Sequence, residues 1–203
     1  MIEIPKEEVG KMKRKSMVLG IASLAAILLF AAIAPQALRA KGPPQIPFVG
    51  MSLTYYANAL GNFVPRPVTV LKYYPETNSV LIRDAADYML VYVENREAYW
   101  ATGWYETQVP FAVEYWIPTD IKIGSHVKIY QHEAEVIGSA VLSVEGKSVD
   151  CWQLYAAWDD WQVTSYYEKI TGLWIAASGV LWDENGTPAW EWVGHLASTD
   201  VAL

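Results

Sequence analysis

SYYEKITGLWI, residues 165–175, sets two adjacent tyrosines, a Glu-Lys pair, a Thr-Gly step and an apolar run in one short stretch. Side chains alternate across a strand, so Thr164, Tyr166 and Glu168 share one face while Val163 and Tyr167 share the other. Gly172 supplies the φ > 0 position that a tight turn demands, and Leu173-Trp174-Ile175 begins an apolar return strand. The stretch therefore reads as a β-hairpin, with Glu168 and Lys169 expected at a solvated turn. One glycine with no Lys-Ser/Thr after it cannot cradle a phosphate, which excludes a nucleotide loop.

The same pattern extends in both directions. Short apolar or alternating runs at 66–74, 78–83, 88–93, 97–106, 111–117, 126–132, 135–144, 148–156, 163–169, 173–182 and 189–197 are separated by turn residues such as Pro75-Glu76-Thr77-Asn78 and Glu145-Gly146-Lys147. Residues 55–62 fit either one helical turn or a strand end, and no helical period of useful length follows residue 40. Tyr55-Tyr56, Tyr73-Tyr74 and Tyr166-Tyr167 each put a ring on both faces of a sheet. Both faces are then covered, or one is an aromatic binding surface, or the rings express the ordinary β-propensity of tyrosine. The fold class expected is all-β: a curved antiparallel meander sheet, half-barrel or barrel, of about nine or ten strands.

The N-terminus differs in character. A basic stub (1–16) precedes a charge-free run at 17–38, MVLGIASLAAILLFAAIAPQAL, and about 20 such residues span a bilayer as a helix. The run exceeds the ~7–15-residue apolar core of a secretory signal, and Pro35 directly follows the small-residue site Ala32-Ile33-Ala34. The segment reads as an uncleaved transmembrane signal-anchor; a removed signal peptide would export the same domain. Lys6, Lys11, Lys13, Arg14 and Lys15 precede the run and only Arg39 and Lys41 closely follow it. That asymmetry puts the N-terminus in the cytosol and the rest outside a cell membrane. Residues 39–50, with three prolines and two glycines, read as a stiff spacer, and 51–203 as the extracytoplasmic domain.

Of the 15 Lys+Arg and 22 Asp+Glu in the chain, 6 and 3 lie in residues 1–40, so the remainder carries a formal charge of −10. Nucleic acid is disfavoured as a partner by that balance, as is an anionic lipid surface. Cys151 is the only cysteine, which rules out an intrachain disulfide, so stability must come from the core.

The hairpin YYEK-ITG-LWI resembles the Tyr-rich strand, Asp/Glu-x-x-Thr-Gly turn and Leu-led return strand of uncharacterised archaeal membrane-anchored proteins. More distantly, it is similar to the curved-sheet half-barrels of the periplasmic lipoprotein-carrier group. The stretch GKSVDCW (146–152) resembles the Gly-x-x-Val-x-Cys-Trp hairpin of such archaeal proteins, and the likeness spans roughly residues 135–180. The resemblance implies a concave sheet able to hold an apolar ligand. The carrier group plugs its sheet with helices, and none is legible here.

For chemistry, His132, Glu133 and Glu135, with His126 expected on the same strand face, form the nearest thing to a metal set, but one strand rarely supplies every ligand, so no metal and no cofactor is assigned. Cys151 reads as a packed small hydrophobe, no G-x-S-x-G elbow is present, and no catalytic residue is assigned. Acids beside tryptophans stand out: Trp158-Asp159-Asp160-Trp161, Trp190-Glu191-Trp192 and Glu114-Tyr115-Trp116. Such groups suit a ligand groove, with rings for stacking and carboxylates for hydroxyls; alternatively they form the acid pair of a glycosidase, or a solvated acidic loop beside core aromatics. Trp158, Asp159, Asp160, Trp161, Glu114, Trp116, Trp190 and Trp192 are the candidate ligand-binding residues, and Asn185, in Asn185-Gly186-Thr187, is a glycosylation candidate. The expectation is a non-enzymatic domain, binding an apolar or saccharide ligand or another envelope protein. Carboxylate-dependent glycoside hydrolysis and structural assembly through edge strands are the alternatives.

Overall fold

The computed structural model describes residues 46–59, 62–100 and 110–203. The expected stub, membrane span and the spacer up to residue 45 lie outside them, as do residues 101–106 of the expected return strand. Among the described residues there are twelve strands and no helix. They are β1 (Ser52–Ala59), β2 (Asn62–Tyr74), β3 (Ser79–Asp84), β4 (Asp87–Tyr92), β5 (Glu97–Trp100), β6 (Phe111–Ala112), β7 (His126–Ile129), β8 (His132–Val144), β9 (Lys147–Trp158), β10 (Trp161–Glu168), β11 (Trp174–Trp182) and β12 (Pro188–Thr199).

All twelve form one antiparallel sheet in the order β6-β5-β4-β3-β2-β1-β12-β11-β10-β9-β8-β7. Two meanders, β1–β6 and β7–β12, are joined where β12 returns to pair with β1, for example Tyr55 with Leu196 and Ala57 with Gly194. The two outermost strands then approach each other. Ala112 N donates to Tyr130 O at 2.9 Å and Tyr130 N to Ala112 O at 2.7 Å, which nearly closes the sheet into a barrel. The expected all-β meander is observed, with more strands than the nine or ten expected. One reason is that residues 55–59 are not a helical turn but part of β1, in register with β2 from Ser52–Thr69 to Ala59–Asn62.

The run at 111–117 departs from its expected form as a single strand. Only Phe111 and Ala112 pair with β5, and the next five residues, Val113 to Ile117, are all buried. A strand in a one-sided sheet buries alternate residues; five in succession means the chain has left the sheet and entered the barrel. This strap is held along its length: Val113 N donates to Arg96 O (3.0 Å), Trp174 N to Tyr115 O (2.9 Å) and Ile117 N to Gly172 O (2.9 Å). The buried Arg96 guanidinium adds bonds to the carbonyls of Val113 and Trp116 at 3.0 Å each, and to that of Lys128. An extended segment thus occupies part of the interior of the sheet.

The hairpin at 165–175 is where the strap lands. Gly172 has φ +75°, and a Cβ there would stand 2.2 Å from the Ile117 carbonyl oxygen, so glycine serves both the turn and the close approach. Glu168 is not solvated as expected but is 5% exposed. Its carboxylate accepts from Ile170 N (2.8 Å), Thr171 N (2.5 Å) and Thr171 Oγ1 (2.6 Å). The Thr171 amide is buried where the strap meets the turn, and the carboxylate takes it in place of water.

Candidate functional site

Between the β7–β12 half of the barrel and the strap lies a cavity of about 220 Å³. Alternation along β10 turns Trp161, Val163, Ser165 and Tyr167 into it, and the β9 register opposes them with Trp158, Ala156 and Leu154. From β11 and β12 come Trp174, Ala177 and Trp192, from β8 His132 and Ala134, from the end of β7 Ile129, from the turn after it Tyr130, and from the strap Glu114. Glycines make room for the largest rings. A Cβ at Gly179 would lie 2.0 Å from Trp192 Nε1, and one at Gly194 would lie 3.1 Å from the Trp174 ring.

The aromatic side chains form a continuous row. His132 stacks on Trp158 (centroids 4.1 Å, 10° between planes), Trp158 on Trp161 (6.4 Å, 16°), and Trp190 meets Trp161 edge-on (5.4 Å, 89°). Tyr130 lines the cavity while keeping 39% of its surface accessible, and stacks on Phe111.

A polar cluster adjoins this wall, with Asp84, Glu114 and Tyr115 buried and Arg66 partly exposed. Arg66 on β2 forks onto Asp84 on β3 through Nε (2.7 Å) and Nη2 (2.5 Å), and reaches Glu114 Oε1 through Nη1 (2.9 Å). Tyr115 accepts from Arg66 Nη2 (3.0 Å) and donates to Asp84 Oδ2 (2.6 Å). Tyr130 hydrogen-bonds Glu114 through its hydroxyl. Burial raises the Glu114 carboxyl above the ordinary carboxylate range, with Arg66 and the Tyr130 hydroxyl acting against that rise. Burial pulls the Arg66 guanidinium down, but the hydrogen bond to Asp84 and the fields of Tyr115 and Glu114 outweigh it, leaving Arg66 above its ordinary value. The hydroxyls of Tyr55, Tyr115, Tyr130 and Tyr167 are all pushed up, in each case chiefly by burial. Tyr167 Oη is buried with no hydrogen-bond partner among the described residues.

Of the candidates read from sequence, the structure brings Trp158, Trp161, Trp192 and Glu114 together on the cavity wall. Trp190 sits beside Trp161, 38% exposed, and does not line the cavity. Trp116 faces away, into a separate space of about 310 Å³ shared with Arg96 and Thr171. Asp159 and Asp160 are exposed in the β9–β10 turn, where Asp159 has φ +45°; the turn, not the groove, accounts for their position. His126 and His132 do not share a strand: a turn at 130–131 separates β7 from β8, and His126 stands opposite Glu135. Among the described residues no three His, Cys, Asp or Glu gather as a metal set. Asn185 is exposed in the β11–β12 loop, its backbone N bonded to Asp183 Oδ1 at 2.9 Å.

Sequence reasoning missed Tyr130, Trp174, Ser165, Tyr167 and the Arg66–Asp84–Tyr115 group. Alternation carried forward from Trp161 would have found Ser165 and Tyr167; nothing local marks Arg66 or Asp84.

No protein-family model and no curated protein matches this chain. Among solved structures, the chain is similar to MucB in complex with MucA(peri), at 12% identity and TM-score 0.38, over 75% of this chain and 50% of that one, so it spans half of MucB's length. It is similar to the hypothetical lipoprotein YmcC from Escherichia coli (K12), at 12% identity and TM-score 0.36, over 75% of this chain and 89% of that one. It is similar, too, to the LolA superfamily protein NE2245 from Nitrosomonas europaea, at 7% identity and TM-score 0.27, over 78% and 89%. Likeness at this level carries nothing about ligand or partner.

Proposed function

We propose that the domain is a non-enzymatic binding module that takes one small apolar ligand, or the apolar end of a larger one, into the cavity behind the strap. The observation that carries this reading is the wall itself: aromatic and aliphatic side chains surround a space containing one carboxylate. An apolar cavity of ~150 Å³ accommodates benzene. A space of about 220 Å³ therefore suits a ring or short chain of roughly nine non-hydrogen atoms. Burying such a surface is favourable at ~25 cal/mol per Å².

Glycoside hydrolysis takes two facing acids, and among the described residues Glu114 is the only carboxylate lining the cavity, with Asp159 and Asp160 turned out to solvent. Assembly through edge strands takes free edges, whereas β6 and the end of β7 are turned toward each other and bridged. We place the domain outside a cell membrane, tethered by the apolar run at 17–38 with the N-terminus cytosolic. The cation asymmetry around that run supports this placement. A lipid, a glycan or a neighbouring envelope protein would then be the source of the ligand.

The test is a titration of the full chain, held in zwitterionic lipid nanodiscs, with 1-hexanol, read by tryptophan fluorescence against empty nanodiscs. A saturable one-to-one change, lost in an Ala156→Phe variant that fills the cavity but keeps its melting temperature, is the expected result. An unsaturable signal, or one indifferent to the filled cavity, overturns the reading.

A further inference from the structure

We infer that the polar head of the ligand is an organic ammonium ion, seated against Glu114 inside the aromatic wall; this rests on the cavity being a ligand site. The charge tally is the starting point. Arg66 is bonded to both Asp84 and Glu114, so these three groups set one positive charge against two carboxylates when both are ionised, and burial opposes that ionised state at Glu114 unless a second cation joins it. Asp84 holds two of the guanidinium's contacts, while Glu114 receives one, through Oε1. Among the described residues no lysine or arginine lines the cavity, and the buried Arg96 guanidinium is bonded to the carbonyls of Val113, Trp116 and Lys128 rather than to Glu114.

Acceptor capacity at the same place is also unfilled. A carboxylate offers about four lone-pair sites. Arg66 Nη1 donates to Glu114 Oε1, and the Tyr130 hydroxyl engages the same carboxylate. Tyr167 Oη, buried on the cavity wall, has no partner among the described residues. An ammonium group brings N–H donors for Glu114 and for Tyr167, and its charge completes the cluster. Aromatic faces around a desolvated cation add cation–π attraction, strongest with tryptophan, and Trp158, Trp161, Trp174 and Trp192 are present. Outside the cavity, the formal charge of −10 on residues 41–203 favours approach of cations. A carboxylate head would meet Glu114 as a like charge, and a hydroxyl head would leave the cluster's charge unbalanced.

The test uses three probes with one chain length: hexylammonium, 1-hexanol and hexanoate, titrated into the full chain in zwitterionic nanodiscs with tryptophan fluorescence as the readout. The inference expects hexylammonium to saturate at a concentration at least tenfold below hexanol, with hexanoate weakest. Glu114→Gln is expected to abolish the preference for ammonium over alcohol while hexanol binding persists. Because Glu114 also anchors the strap, Tyr167→Phe serves as the second variant, expected to narrow the ammonium preference severalfold by weakening hexylammonium binding more than hexanol binding. If hexanol binds as well as hexylammonium, the ammonium inference fails and the apolar cavity stands. Should none of the three bind, the cavity reading fails and takes this inference with it.

Discussion

Gly172→Ala is the sharpest probe of the strap. The substitution acts in two ways, and a second glycine separates them. Holding an L-residue at positive φ costs about 1–2 kcal/mol, offset by about 0.4–1 kcal/mol because alanine restricts the unfolded chain. Gly146, at φ +77° with nothing within 4 Å of its would-be Cβ, experiences only this balance. Gly146→Ala should therefore cost about 1 kcal/mol. Gly172, at φ +75°, carries the same backbone penalty, but its Cβ would also stand 2.2 Å from Ile117 O and 3.2 Å from Ile117 C. Backbone cannot yield as a flexible side chain can. The strap must move, losing the Ile117 N–Gly172 O bond of 2.9 Å and straining the Trp116–Leu173 bridge. One such bond contributes about 1 kcal/mol and forced overpacking about 1–3 kcal/mol, so Gly172→Ala should cost roughly 3–5 kcal/mol in all. Urea unfolding of both variants, followed by tryptophan fluorescence, gives the difference directly. Equal losses in the two variants, within about 0.5 kcal/mol, would refute the argument that the strap rests on this turn.

Tyr167→Phe removes a buried hydroxyl that has no partner among the described residues. It should leave stability unchanged or raise it by up to about 1 kcal/mol in urea unfolding; a loss larger than that would show the hydroxyl to be bonded. The Glu114 carboxyl is raised by burial, among Arg66, Asp84, Tyr115, Tyr130, Tyr55 and Tyr167. Between the unfolded carboxyl's value and the raised one, the native state binds more protons than the unfolded. Its contribution is thus fully present below the unfolded value and is lost as pH rises through the raised one. Melting curves of the wild type and Glu114→Gln across that range should diverge as pH rises, and parallel curves would contradict the shift. Cys151 is buried, and burial pushes its thiol up to about 12. At pH 8 a disulfide reagent should leave the native protein unmodified and react at once in denaturant; fast native labelling would place the thiol at the surface.

Much of the fold was legible because its signals are local. Alternation in Val163–Tyr167 and the Thr171-Gly172 step each act within a few positions, and each produced the expected strand or hairpin. Of the three tyrosine pairs, only Tyr166-Tyr167 has both rings buried; Tyr56 and Tyr73 stay 36% and 44% exposed, so cover on both faces holds for one pair and not for the others.

The sequence by itself thus determined an all-β meander, its turn residues, a store of aromatic side chains, and Trp158, Trp161, Trp192 and Glu114 as residues worth watching. Tertiary structure alone decided that residues 113–117 leave the sheet and run through the barrel. The stretch FAVEYWI is as good a strand as its neighbours, and only the bonds awaiting it at Arg96 and Gly172 draw it inward. Glu168 was misplaced for the same reason, since the strap covers the turn that local chemistry would leave in water. Arg66 meets Asp84 across 18 positions and Glu114 across 48. Tyr55 reaches the Trp174 carbonyl across 119. Period and turn chemistry set which face a side chain occupies, but which distant faces meet depends on how the sheet curves, and the polar cluster exists only once it has closed.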